Sequence, residues 1–467
     1  MTLNADTLHP MDMTTHESKS IDRDGNAINV HTGDGEIVGR VVGGRDGVAG
    51  QVGCWMNVPY ARAPVGPLRF APPQPLSQFA GKSIQVDARS PNPIVAPQRP
   101  SRLEDVLGSF AAVQQEDCLR LNIWSPLEAL RDEQPRPVLV WLHGGAWITG
   151  GGGISWYEGT QWAKEAGIVV VGVNYRLGAL GWLAGDDAEQ NNLGLQDSQL
   201  ALKWVAENIG AFGGNPDHVT IMGQSAGGDN IGALMQSRHP LLFQQAVIQS
   251  APLGRPMRTL DEARAIRQMA MQQWGVSNLD QLQRLPLDTL LEGQASPAVM
   301  GKMKALGIAG QAYMVVADDL HVNAEGRTRY LQSASRVPSI VGATTDEMTA
   351  FPDMKRVDPD LAIGRRMFNA GAEQWQCEAE AAGQKCWRYE FRFGPNPRLG
   401  ACHCIDLPFT FGTLPAFERA PMLAGGDAAE MEALSRYWRS GLQSFVIQGD
   451  PLWPKRDGGV HNVDAVR

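Results

Sequence analysis

Cysteine is scarce in this sequence: Cys54, Cys118, Cys377, Cys386, Cys402 and Cys404 are the six cysteines in 467 residues. So few in so long a chain do not make a disulfide framework, and reduced thiols are expected. Cys402-His403-Cys404 has the residue types of a metal site, but no second ligand pair stands at zinc-like spacing, so no metal is expected. Long basic runs are also absent. The net charge of −9 is spread along the chain, which argues against nucleic acid or an anionic membrane as a partner. No stretch reaches the roughly 18 apolar residues of a membrane span. The opening "MTLNADTLHPMDMTTHESKSIDRDGN" has no basic head before an apolar run, so it reads as neither signal peptide nor anchor. A cytoplasmic protein is the expectation.

What is present has the composition of an ordinary globular chain, 43% hydrophobic and 19% charged. Residues 1–33 are polar and without apolar periodicity, and read as a flexible arm. The remainder, 34–467, reads as one domain. A proline-rich passage at 58–75, "VPYARAPVGPLRFAPPQP", must run extended, because proline has no donor for a helix or a ladder. From Val138 onward short apolar runs alternate with helical stretches. "VLVWLHG" (138–144), "IVVVGVN" (168–174), "HVTIMG" (218–223), "QAVIQS" (245–250) and "PSIVGA" (338–343) are rich in β-branched residues and apolar on both faces. Such runs predict buried strands of a mostly parallel sheet. Between them "DSQLALKWVAENIGAFGG" (197–214) places Leu200, Trp204 and Ile209 near one helical face and stops at glycines. The alternation predicts a doubly wound α/β sheet flanked by helices. Segments 255–335 and 352–385 read as helical cap.

One short pattern carries chemistry. Gly223-Gln224-Ser225-Ala226-Gly227 matches G-x-S-x-G, which in a chain with 52 glycines arises by chance roughly 0.26 times. Context decides more than the pattern does: "HVTIMG" ends as a strand and "AGGDNIGALMQS" continues as a helix, the setting of a nucleophile elbow. Gly223 and Gly227 are expected because Cβ atoms there would crowd a strained serine. The helix N-terminus at Ser225 favours developing negative charge.

A serine hydroxyl needs a base. With the order serine, acid, histidine, the eligible histidines are His239, His321, His403 and His461. His239 leaves no room for an intervening strand and acid, His321 sits in a charged helical stretch, and His461 in a polar tail. His403 follows the strand-like "CWRYEFRF" in a loop, where the base belongs. Asp346 and Glu347 follow the strand "PSIVGA", and either could orient the imidazole. Acyl transfer also needs N–H donors for an oxyanion. Ala226 supplies one, and the glycine-rich loop "VWLHGGAWITGGGG" (140–153) supplies others. That loop lacks the Lys-Ser/Thr ending of a phosphate-binding loop. No cofactor is expected.

With these residues in place, the chain resembles the type-B carboxylesterases, the family of cholinesterases, liver carboxylesterases and para-nitrobenzyl esterases. The resemblance runs from about Glu36 to Pro454. It rests on "VPYARAPVGPLRF", "EDCLRLNIWSP", "VLVWLHGGAW", "VNYRLGALGWL", "NNLGLQDSQLALKWVAENIGAFGGNPDHVTIMGQSAGG", "GATTDEM", "ACHCIDLPFTFG" and "GDPLWP". It implies an α/β-hydrolase fold and a Ser225-Glu347-His403 triad, with Asp346 as a structural neighbour. It also implies an oxyanion hole of Gly145, Ala146 and Ala226, ion pairs Arg69–Glu116 and Arg176–Asp197, and Ser250 close to the acid. Trp147 reads either as lining the acyl pocket or as a buried packing residue, and Gln224 as bordering the substrate, which would be a small-molecule ester. The GGA loop is similar to those that leave room for bulky alcohols.

Departures from the family pattern bear on substrate and geometry. No cysteine lies between Phe70 and Asp117 to pair with Cys118, so that thiol is expected to be free. No tryptophan lies between Ala71 and Cys118, and Gln224 replaces the glutamate of cholinesterases, so a choline-ester specialist is not expected. The shorter interval from Glu347 to His403 implies a more open mouth. Cys404 and Met348 stand where the family has glycines. The expected activity is carboxylic ester hydrolysis. The alternatives are an amide or carbamate hydrolase with the same triad, and a non-catalytic binding protein of the kind this fold also supports.

Overall fold

Apolar strands that alternate between two buried faces need cover on both, and the chain provides it. A computed structural model describes residues 19–21, 27–43, 50–76, 84–132, 134–237, 239–294, 296–308, 310–323, 325–454 and 460–464. Among the described residues thirteen strands form one sheet: β1 (Ser20–Ile21), β2 (Ala27–Thr32), β3 (Gly35–Val42), β4 (Val52–Pro59), β5 (Ile84–Asp87), β6 (Arg120–Pro126), β7 (Arg136–Leu142), β8 (Val169–Val173), β9 (Gly214–Gln224), β10 (Gln245–Gln249), β11 (Ser339–Thr344), β12 (Cys386–Phe391) and β13 (Val460–Val463). Their order is β1-β2-β3-β4-β6-β8-β7-β9-β10-β11-β12-β13, with β5 beside β3. Pairings from β1 through β8 along this order are antiparallel. From β8 to β13 they are parallel. The five strands expected from apolar runs are β7 to β11, the centre of the parallel part.

Period-two alternation sorts these strands between two core layers. Val138, Val140, Leu142, Val171, Ile221 and Ile248 belong to one layer, and Leu139, Trp141, Val170, Met222, Val247 and Ile340 to the other. The first layer is covered by α1 (Leu193–Asn208) and α2 (Ala226–Gln236), and by α3 (Leu260–Trp274), α4 (Leu287–Gln294), α5 (Pro297–Ala305), α6 (Arg327–Gln332) and α7 (Ala370–Ala381). The second is covered by α8 (Ala428–Gln448), which buries Trp438, Leu442 and Phe445. Within the segment 255–335 the helices α3 to α6 are joined by a two-stranded pair, Arg258–Thr259 with Val316–Ala317, and by the described, non-helical residues between Leu306 and Gly326. None of the described helices is long and apolar enough to cross a membrane.

Both expected ion pairs form. Arg176 Nε and Nη2 reach Asp197 at 2.8 and 2.7 Å, fully buried. Arg69 grips Glu116 and donates to the carbonyls of Gln283 and Leu285 at 3.0 and 2.6 Å, which ties the helical segment to the proline-rich passage.

Two boundaries differ from the sequence reading. The ordered chain does not wait for residue 34: Ala27–Thr32 is β2, with Ile28 and Val30 buried. Two alternating apolar residues among polar ones are a period-two signal too short to stand out. Residues 1–18 and 22–26 of the expected arm lie outside the described residues. His461 is not in a polar tail but in β13, buried, with its ring stacked on Trp453 at 4.4 Å.

Candidate active site

The elbow is shaped by what cannot fit. Ser225 sits between β9 and α2 at φ 56°, ψ −121°, a conformation that costs roughly 1–3 kcal/mol and persists only where the surroundings impose it. A Cβ on Gly227 would collide with the carbonyl oxygen of Leu142, and one on Gly223 with the backbone of Gly227. The serine backbone is pinned on both sides: its N–H donates to Gln249 O at 2.8 Å, and its carbonyl accepts from Asp229 N at 3.0 Å.

Strand ends then deliver the partners. Ser225 Oγ lies 2.9 Å from His403 Nε2. On the other side of the ring His403 Nδ1 bonds to Glu347 Oε2, while Glu347 Oε1 accepts from Thr344 N at 2.8 Å. His403 and Glu347 are each 1% exposed. Burial works against a charged imidazole, whereas the Cys404 and Glu347 side chains beside the ring work for it, and the balance holds His403 well above its usual range. Phe351 and Phe368 flank the ring at 5.3 and 5.2 Å.

Asp346 takes a different part from its neighbour. Its Oδ2 accepts from Ala401 N at 2.9 Å and lies 3.3 Å from the Arg356 guanidinium, and its N–H donates to Ala401 O at 2.9 Å. It staples the turn bearing Glu347 to the loop bearing His403. Ser250 is fully buried at φ 44°, and its Oγ meets no partner among the described residues.

The glycine loop packs against the serine, since a Cβ on Gly144 would lie 3.2 Å from that of Ser225. Gly145 (φ 114°), Ala146 (φ 54°) and Trp147 (φ 61°) run in left-handed backbone. The N–H groups of Gly145 and Ala146 meet no acceptor among the described residues, and Ala226 opens α2, where backbone donors have no intrahelical partner. Trp147 is buried, donates its indole N–H to Asn230 Oδ1 at 2.8 Å, and lies under the Arg255 guanidinium at 5.1 Å. Gln224 is also buried, with its amide 3.2 Å from His403 Nε2.

A serine, an imidazole and a buried carboxylate in one hydrogen-bonded line, beside unpaired N–H donors, can carry out acyl transfer. The sequence model of the carboxylesterase family matches residues 25–362. The chain belongs to the carboxylesterase family. A probable N-octanoylanthranilate hydrolase of Rhodococcus erythropolis is 36% identical over 441 residues, 88% of this chain and 93% of that protein. The para-nitrobenzyl esterase of Bacillus subtilis strain 168 is 32% identical over 448 residues, 86% of this chain and 88% of that protein. Among solved structures, a thermophilic PNB esterase superposes with a TM-score of 0.79 at 28% identity, over 93% of this chain and 96% of that one. The fold is the α/β-hydrolase fold, and the protein is a carboxylic ester hydrolase for small-molecule esters.

In this carboxylesterase several supporting residues give no local signal in the sequence. Gln98 Oε1 accepts from Gly150 N at 2.7 Å and from Thr149 Oγ1 at 2.5 Å, and its Nε2 donates to Gly150 O at 2.8 Å, so one side chain braces the glycine loop. His143 stacks on Tyr175 at 4.4 Å; burial pushes its pKa down to about 4, which leaves a neutral ring bonded to Gly144 O at 2.7 Å. Asp406 is fully buried behind His403, bonded to Gln249 Nε2 and Tyr389 Oη at 3.3 Å each. Burial and the nearby Glu347 carboxylate raise its pKa to about 7 against the pull of His403. Only the contact of distant positions makes such residues readable, and a single sequence does not supply that. The remaining eligible histidines lie elsewhere: His321 pairs with Asp318 at 2.7 Å, and His239 is exposed.

Proposed function

We propose that this carboxylesterase cleaves its substrates through an acyl-enzyme on Ser225, with His403 as the base, Glu347 as the residue that orients it, and Gly145, Ala146 and Ala226 as oxyanion donors. The observation that carries the reading is the unbroken line from Glu347 through His403 to Ser225 Oγ. Ser225 Oγ forms a bond to the ester carbonyl carbon while its proton passes to His403 Nε2. The carbonyl oxygen takes the electron pair and is held by the three N–H groups, each worth about 10²–10³ in kcat in comparable sites. Collapse breaks the carbon–oxygen bond to the alcohol, which leaves with the proton from Nε2. Water then attacks the acyl carbon, gives its proton to Nε2, and Ser225 recovers that proton as the acid departs. Every proton transfer in this sequence is made by a side chain or water.

Ser225→Ala tests the reading. Turnover of a short-chain aryl ester should fall by at least about 10⁴ while the melting temperature stays within a few degrees; substantial remaining turnover would remove Ser225 from the role.

A second reading, cleavage of an N-acyl bond by the same groups, is supported by the name of the Rhodococcus relative. Rates on an ester and its isosteric amide separate the two, since the amide demands protonation of a poorer leaving group at the same Nε2. For the alcohol side, Ala146 in the GGA loop favours acceptance of bulky leaving groups. Turnover confined to primary-alcohol esters, with none on tertiary analogues, would count against that.

A further inference from the structure

Two departures from the family pattern, the glutamine before the serine and the cysteine after the histidine, are brought into contact by the fold. Gln224 Nε2 lies 3.2 Å from Cys404 Sγ and 3.2 Å from His403 Nε2. All three side chains are buried. At the other end of the amide, Oε1 packs so closely on Gly144 that a Cβ there would collide with it. The amide therefore bridges the glycine loop to the reacting edge of the histidine. Cys404 holds left-handed backbone, φ 71°, a conformation a glycine adopts without strain. A cysteine there carries backbone strain that a glycine would not.

We propose that Gln224 and Cys404 form a positioning pair that keeps the Nε2 edge of His403 aligned on Ser225 Oγ. The inference rests on the Ser225–His403 reading above. The single Nε2 position faces Ser225 Oγ, so the amide packed beside it bars the ring from swinging off that line, and the thiol holds the amide there. Which end of an amide points where is set by its network, and a thiol can accept from N–H or donate to C=O. Cys404 therefore partners the amide in either orientation. A glycine would partner it in neither, and a carboxylate at position 224 could only accept. The ring is otherwise faced by Glu347 at Nδ1, by Asp406 from its own segment, and by Phe351 and Phe368.

The test is steady-state kinetics on a short-chain aryl ester across the pH range, with melting temperatures, for Cys404→Ala, Cys404→Ser, Gln224→Ala, the double alanine variant and Gln224→Glu. Cys404→Ala should lower kcat about fivefold to tenfold, the effect of one neutral hydrogen bond, with KM changed less. Cys404→Ser should recover most of that, because a hydroxyl also donates and accepts. The double variant should be no worse than Gln224→Ala alone, since the two act as a unit. Gln224→Glu should move the acid limb of kcat/KM to higher pH, because a carboxylate beside Nε2 favours the charged ring. Additive losses, a serine variant no better than alanine, or an unmoved acid limb would each overturn the pair. Should Cys404→Ala fail to fold, the serine and Gln224→Glu variants decide the matter. Ser225→Ala run alongside keeps the two readings apart: its inactivity with a neutral Cys404→Ala sinks only the pair, and its activity sinks both.

Discussion

The two halves of the candidate active site are held in place by different means. At the serine the constraint is backbone: Gly223 and Gly227 leave no room for side chains, and Ser225 is pinned through its own N–H and carbonyl. At the histidine the constraint is side-chain chemistry: Glu347 and Gln224 hold the ring edges, Asp346 staples the loop, and Asp406 lies behind. A site fixed by backbone tolerates almost no substitution, whereas one fixed by side chains can change its partners while keeping the same catalytic groups. Of the family departures, the three single-residue ones beside these groups fall at Gln224, Met348 and Cys404, around the histidine and the acid, and none falls on the glycines of the elbow.

The contrast is broken most completely at the elbow. Gly227→Ala puts a methyl group against the Leu142 carbonyl and should abolish turnover and destabilise the fold by on the order of 3–5 kcal/mol; denaturant midpoints and activity check both. Normal stability there would mean the elbow can relax.

On the histidine side the largest effect belongs to the acid. Glu347→Gln keeps the shape and removes the charge, and should lower kcat by roughly 10⁴ with little change in melting temperature. A fall below tenfold would shift the orienting role to another carboxylate, and Asp346→Asn would then be the more damaging variant.

Asp406 sharpens the comparison through pH. Its folded-state carboxyl ionises near 7 against an ordinary 3.8, so the fold binds a proton that the unfolded chain releases. That preference leaves stability intact below about pH 4, erodes it as pH rises toward 7, and levels off above. Asp406→Asn has no such loss. Its stability advantage over the parent should grow between about pH 4 and pH 7, to on the order of 2–4 kcal/mol, and then stay flat; an advantage independent of pH would contradict a neutral buried Asp406. The smallest effect is expected at the brace: Gln98→Ala frees Thr149 and Gly150 and should lower kcat about tenfold by loosening the loop that carries Gly145 and Ala146.

This division explains what was legible in the sequence. The strands β7 to β11 could be read because burial on both faces leaves continuous β-branched runs, and the elbow because its glycines are local. Ser225, Glu347 and His403 followed from chain order and from the family blocks that fixed the glutamate over Asp346. Gln98, His143 and Asp406 could not be read, since each acts on a loop far from it in sequence or through burial that no local pattern reports. β2 was lost in a polar stretch, and His461 was misplaced because its strand is four residues long and joins the sheet only at its edge.

The most direct measurement is mass analysis of the enzyme quenched during turnover of a para-nitrophenyl ester. An acyl adduct on the peptide bearing Ser225, formed with a burst of nitrophenol and absent in Ser225→Ala, is the expected result. Turnover with no adduct, or an adduct on any other residue, would contradict it.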